Sequence, residues 1–105
     1  MSRPAAKVKT IPFDAAEYLD DEESIAAFLD EAMATGDVPF IIHAIGIVAR
    51  ARGMTSIAKD TGLSRESLYR ALSEDGNPSF GTIKRVLAAL NVRLSVKTES
   101  LEVGV

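Results

Sequence analysis

The sequence predicts an all-α fold of five helices, with an extended N-terminal arm before them and a short C-terminal β-strand after. Two stretches repeat apolar residues at i, i+3, i+4 and i+7: Ile41, Ala44, Ile45 and Val48, then Ile83, Val86, Leu87 and Leu90. That is the spacing of one buried helix face. Capping residues and glycine stops cut the intervening chain into shorter helical pieces. Beyond the last helix, Val92, Leu94 and Val96 alternate with Arg93, Ser95 and Lys97, the period of a half-buried strand.

Residues 1–20 form the arm. Val8, Ile11, Phe13 and Tyr18 are scattered there without helical spacing, and Pro12 interrupts them. The first helix opens at Asp20 or Asp21, with Asp20 and Glu23 spaced as a variant capping box and acids in the first turn favoured by the helix dipole. Ile25, Phe28, Leu29 and Ala32 make its apolar face, and Gly36 ends it. Pro39 suits the first turn of the second helix. Phe40, Ile42 and Ile47 widen that helix's stripe, which predicts burial on most sides, and Arg50, Arg52 and Gly53 close it. Thr55 is expected to cap a helix over 56–61, Gly62 breaks the chain, and Ser64 caps a helix over 65–73. After a turn at 74–78, Ser79 caps the last helix and Asn91 stops it. The organisation is thus an arm (1–20), a helical domain (21–97) and a tail (98–105).

A chain of 105 residues with 47% hydrophobic side chains suits one domain with a real core. The absence of Cys excludes a disulfide framework, a thiolate metal site and a thiol nucleophile, and it fits a cytoplasmic location. No eighteen apolar residues stand together, so neither secretion nor a membrane span is expected. The net charge of -3 conceals a division. Residues 1–42 hold three basic and nine acidic side chains, residues 43–97 hold nine basic and four acidic, and the tail adds Glu99 and Glu102. Such asymmetry is expected when one part meets a polyanion and another part does something else.

The segment 54–73 reads as a helix-turn-helix. Its first helix must approach the second closely, so a small residue is wanted mid-helix, and Ala58 is there. Gly62, four residues on, stands where the turn needs a positive φ. Ile57, Leu63, Leu68, Ala71 and Leu72 supply the packing face, which leaves Arg65, Glu66, Tyr69 and Arg70 outward. These are suited to base edges: Arg to guanine, Glu to cytosine N4, Tyr to a thymine methyl or a phosphate. Helix starts at Thr55 and Ser64 offer N–H groups to phosphates. Ser67, Ser79, Thr82, Lys84 and Arg85 are the other candidate contacts to the nucleic-acid backbone.

The run RGMTSIAKDTGLSRESLYRALSEDGNPSFGTIKRVLAALNV resembles the antidote proteins of bacterial toxin–antitoxin modules, the HigA-like group of the lambda-repressor-like (Xre-type) helix-turn-helix superfamily. The run FDAAEYLDDEESIAAFLDEA at 13–32 resembles their leading segment, so the likeness spans about 10–97. It implies a five-helix lambda-repressor-like DNA-binding domain with two roles. One is to neutralise a RelE/HigB-like, ribosome-dependent mRNA-cleaving toxin by binding it. The other is to repress the shared operon by binding operator DNA as a homodimer. Arg65, Glu66 and Arg70 match the superfamily's base-reading positions, while Thr55 and Ser64 match capping positions beside phosphate. Leu72 departs from many phage-type repressors, which have an acidic residue there paired with an Arg, so their core polar pair does not transfer. The toxin surface carries no transferable motif. Its expected location is residues 8–33, where Val8, Ile11, Phe13 and Tyr18 stand among carboxylates that complement a basic partner, with Phe13 and Tyr18 as anchors; the alternative is that Phe13 and Tyr18 fold back on the helical core.

Competing classes fit less well. An enzyme is disfavoured: the lone histidine, His43, sits in the most apolar helix, the acids at 20–23 are consecutive rather than convergent, and no glycine-rich phosphate loop exists. Ser64 and Ser67 have no nearby base in sequence and read as caps. No metal or other cofactor is expected. A stand-alone repressor shares the DNA face but has little use for the acidic segment. A pure protein-interaction module would lack operator binding.

Overall fold

Four side-chain caps and a series of glycine or carbonyl-bonded stops set the helices. The computed structural model describes residues 21–99, and five helices lie within them: α1 Glu22–Ala34, α2 Val38–Arg52, α3 Met54–Thr61, α4 Arg65–Ala71 and α5 Phe80–Ala89. The arm with its Val8, Ile11, Phe13 and Tyr18, and the end of the tail, lie outside the described residues.

Asp21 caps α1 by accepting the Ser24 N–H at 2.7 Å, and Glu22 and Glu23 follow in the first turn. Ile25, Leu29 and Ala32, at helical spacing, form its buried face. Thr35 and Gly36 (φ 70°) turn the chain toward α2. There Asp37 accepts the Phe40 N–H at 3.3 Å, a cap that the apolar pattern around Pro39 hid. Ile45, Val48 and Ala49 of α2 are fully buried. Fully burying an aliphatic side chain such as Ile45 or Val48 contributes about 1.5–3 kcal/mol, so α2 is the spine. α1 packs on α2, α2 on α3, and α3 on both α4 and α5. Gly46 allows one close approach, because a Cβ there would stand 3.0 Å from the Leu72 carbonyl at the end of α4.

Four expectations change. Phe40 is 45% exposed, so the buried side of α2 begins at Ile41 and the first turn projects outward. The helix predicted over 65–73 ends at Ala71, where the Leu72 N–H donates to the Leu68 carbonyl and the Ser73 N–H donates to the Arg70 carbonyl. Thr55 is not a cap. α2 and α3 share a single linking residue, Gly53 (φ 109°, ψ 111°), and α3 starts at once with the buried Met54. The axis bends by 106° there, and Thr55 is already inside the helix. Finally, no strand forms over 92–97 among the described residues. A strand needs a neighbour for its N–H and C=O groups, and the described chain supplies none. Instead Asn91 (φ 65°) closes α5, and the Val92 N–H donates to the Leu87 carbonyl at 3.0 Å. The Asn91 side chain also donates to Glu22 Oε2 at 2.7 Å, tying the end of α5 to the start of α1.

Candidate nucleic-acid interface

The turn between α3 and α4 is built from Thr61, Gly62, Leu63 and Ser64. Gly62 takes the left-handed conformation (φ 80°, ψ 9°), and its N–H donates to Ala58 O at 2.9 Å. Thr61, the buried polar residue beside it, uses its hydroxyl twice: it donates to Ala58 O at 3.2 Å and accepts the Leu63 N–H at 3.3 Å. Arg85 reaches across from α5 and donates to Thr61 O at 3.3 Å, so one residue anchors the turn to both neighbouring helices. Leu63 packs on the core cluster. Ser64 then caps α4, accepting the Ser67 N–H at 3.0 Å.

α4 is held by Leu68, which has no exposed surface. Arg65, Glu66, Tyr69 and Arg70 are all exposed, and Ser67 is half-buried. The four outward side chains are paired along the helix. Arg65 lies over the Tyr69 ring, 5.6 Å from its centroid, and Arg70 meets Glu66 at 3.4 Å. Both partners of the ion pair are largely in solvent, where such an i, i+4 contact contributes about 0.3–0.5 kcal/mol. That is small enough for a base edge or phosphate to replace it, and it still orients the guanidinium. Ser79 caps α5 by accepting the Thr82 N–H at 3.0 Å and donates its own proton to Thr82 Oγ1 at 3.1 Å. Lys84 and Arg85 are exposed on the same helix. Thr55 is exposed in the first turn of α3, which has no side-chain cap.

Two features escaped sequence reasoning. Phe80, the first residue of α5, is 68% exposed; an aromatic directly after a serine cap was the available signal. The bond from Arg85 to Thr61 O joins residues 24 apart, and nothing local announces it. His43 is exposed on α2. Among the described residues, no cluster of three or more His, Asp or Glu side chains is placed to hold a metal ion, and no single helix is long and apolar enough to cross a membrane.

Fold and site together define an all-helical domain that presents a short helix, launched from a left-handed glycine turn, with a cationic and aromatic outer face. The chain belongs to the family described as probable addiction module antidote proteins, whose model matches residues 9–98. It is also similar to an uncharacterised protein of Haemophilus influenzae, 47% identical over 85 residues, which cover 81% of this chain and 88% of that one. No solved structure matches. An antidote counters a toxin, so membership carries an antitoxin role and a toxin partner in general, and proteins of this family are generally not enzymes.

Proposed function

We propose that this chain is a HigA-like antitoxin that neutralises a RelE/HigB-like mRNA-cleaving toxin by direct binding. As a homodimer in the cytoplasm it represses its own operon, reading operator DNA with a lambda-repressor-like helix-turn-helix formed by α3 and α4. The observation that carries the DNA half is α4 itself: Leu68 is wholly buried on one side, while Arg65, Glu66, Tyr69 and Arg70 are exposed. In this reading those four contact base edges. Ser64, Ser67, Ser79, Thr82, Lys84 and Arg85 hold the flanking phosphates, and Thr55 does so from within the first turn of α3. The toxin half rests on the family and on the acidic, aromatic composition of the arm, with Val8, Ile11, Phe13 and Tyr18 as the contact.

Operator titrations at fixed salt test the DNA half. Arg65→Ala and Arg70→Ala should each cost about 1–3 kcal/mol on the specific site and relax preference at one base pair. Lys84→Ala should weaken all sequences alike. Unchanged affinity in both arginine variants removes the assignment. For the toxin half, a variant beginning at Asp20 that still neutralises as well as the full chain removes the arm as the contact.

A further inference from the structure

The segment after α5 carries an apolar face that its own chain leaves partly uncovered. Val92 packs against the core, Leu94 is 38% exposed and Val96 is 97% exposed. Alternation puts all three on one face of an extended chain. No residue from 92 to 99 takes a positive φ, and among the described residues none of them belongs to a ladder. The Val92 N–H is held by the Leu87 carbonyl, but among the described residues no backbone–backbone hydrogen bond involves 93–97, and backbone N–H and C=O groups left in this way are a template for another strand. We infer that residues 92–96 pair antiparallel with the same residues of a second copy, across a two-fold axis centred on Leu94.

Register and charge identify the occupant. A two-fold axis perpendicular to a ribbon leaves every side chain on its original face, so the pairing must be centred on a residue. Centring on Arg93 opposes two arginines, and centring on Ser95 sets Arg93 against Lys97; like charges directly opposite are destabilising. Centring on Val96 sets Leu94 against Thr98 and Val92 against Ser100, which breaks the apolar face. Centring on Leu94 sets Leu94 against itself, Val92 against Val96 and Arg93 against Ser95. The apolar face is then continuous and no like charges meet. It also gives the exposed Val96 a place beside Val92 of the second copy. Val92 and Leu94 line a cavity of about 220 Å³ with Leu29, Met33 and Leu87, whose lining also includes Asp30, Arg93, Ser95 and Lys97, so the incoming Val96 adds to the apolar part of a mixed surface.

The pairing specifies the homodimer of the proposed function but is tested without DNA or toxin. The chain has no cysteine, so single cysteines report register. In protein under mild oxidation, Leu94→Cys should form a covalent dimer at least about tenfold faster than Ser95→Cys or Val96→Cys, because only directly opposite positions approach within disulfide reach. Val96→Glu alters a side chain that touches almost nothing in one copy. It should keep the helical signal and weaken the dimer about tenfold or more by sedimentation. A monomeric wild-type mass, fastest crosslinking at Val96, or a Val96→Glu dimer as tight as wild type each overturns the proposal. An intact Leu94 crosslink without operator binding would instead overturn the DNA reading alone.

Discussion

The two turns that flank α4 each depend on one glycine, for opposite reasons. At Gly62 the backbone is left-handed, and a Cβ would meet nothing within 4 Å. There the requirement is conformational. Gly76 has no positive φ, yet a Cβ would fall 2.2 Å from the Ala71 carbonyl oxygen and 2.6 Å from that of Arg70. There the requirement is space, because the loop folds back onto the carbonyl end of α4 and is pinned by the Gly76 N–H to Ser73 O bond of 2.9 Å. A conformational demand is local and visible in a sequence, whereas a demand for space exists only once the chain has folded.

The comparison breaks most readily at Gly76. The atoms a Cβ would strike there are backbone and cannot rotate away, so Gly76→Ala should cost about 3 kcal/mol or more, read from urea midpoints, and Gly76→Asn should be no better. Gly62→Ala should cost about 1–2 kcal/mol, the strain of a left-handed L-residue, while Gly62→Asn should recover much of that because Asn tolerates this region. Equal losses for Asn at both positions would show that the two glycines answer one demand rather than two.

The same division governs what the sequence disclosed. The caps at Ser64 and Ser79, the stops at Gly36, Gly53 and Gly62, and the outward placement of Arg65, Glu66, Tyr69 and Arg70 depend on spacing within a turn or two, and all were legible. Thr55 misled because a hydroxyl after Gly53 looks like a cap, whereas the direct junction of α2 and α3 leaves no room for one. Gly46 against Leu72, Arg85 against Thr61 and Asn91 against Glu22 join distant parts of the chain, and no periodicity encodes them. The alternation at 92–97 was read correctly as a pattern, but a pattern forms a strand only with a neighbour, and the described chain has none to give.

Thr61 sharpens the comparison, since its role is local in its hydroxyl and distant in its carbonyl. Thr61→Val keeps the shape and the carbonyl bond from Arg85 but leaves the half-buried Leu63 N–H without its acceptor. An unsatisfied donor of that kind costs about 1–3 kcal/mol, and solvent at the turn places the loss at the low end. Arg85→Met removes the other half, a single hydrogen bond contributing about 1 kcal/mol. If the double variant loses no more than Thr61→Val alone, the two bonds are one device holding the turn. Losses that add show that the local and distant halves act separately.

The smallest effect belongs to the most local device, the cap at Asp21. The Ser24 backbone N–H, which donates to this carboxylate, is the main reason its pKa lies below the ordinary 3.8, with a further hydrogen bond from the Ser24 side chain. Burial opposes the shift only weakly, because the group is fully in solvent. A carboxyl whose folded pKa is depressed contributes stability that is fully present above its unfolded value and is lost as the pH falls through the folded one. The contribution of α1's first turn should therefore be constant from neutral pH down to about 4 and decline below it. Asp21→Asn retains an acceptor for Ser24 but has no charge to lose. Its unfolding curve should lie slightly below wild type at pH 7 and merge with it as the carboxyl protonates. A gap between the two proteins that stays constant below pH 3 would mean that Asp21 acts through something other than its ionised cap.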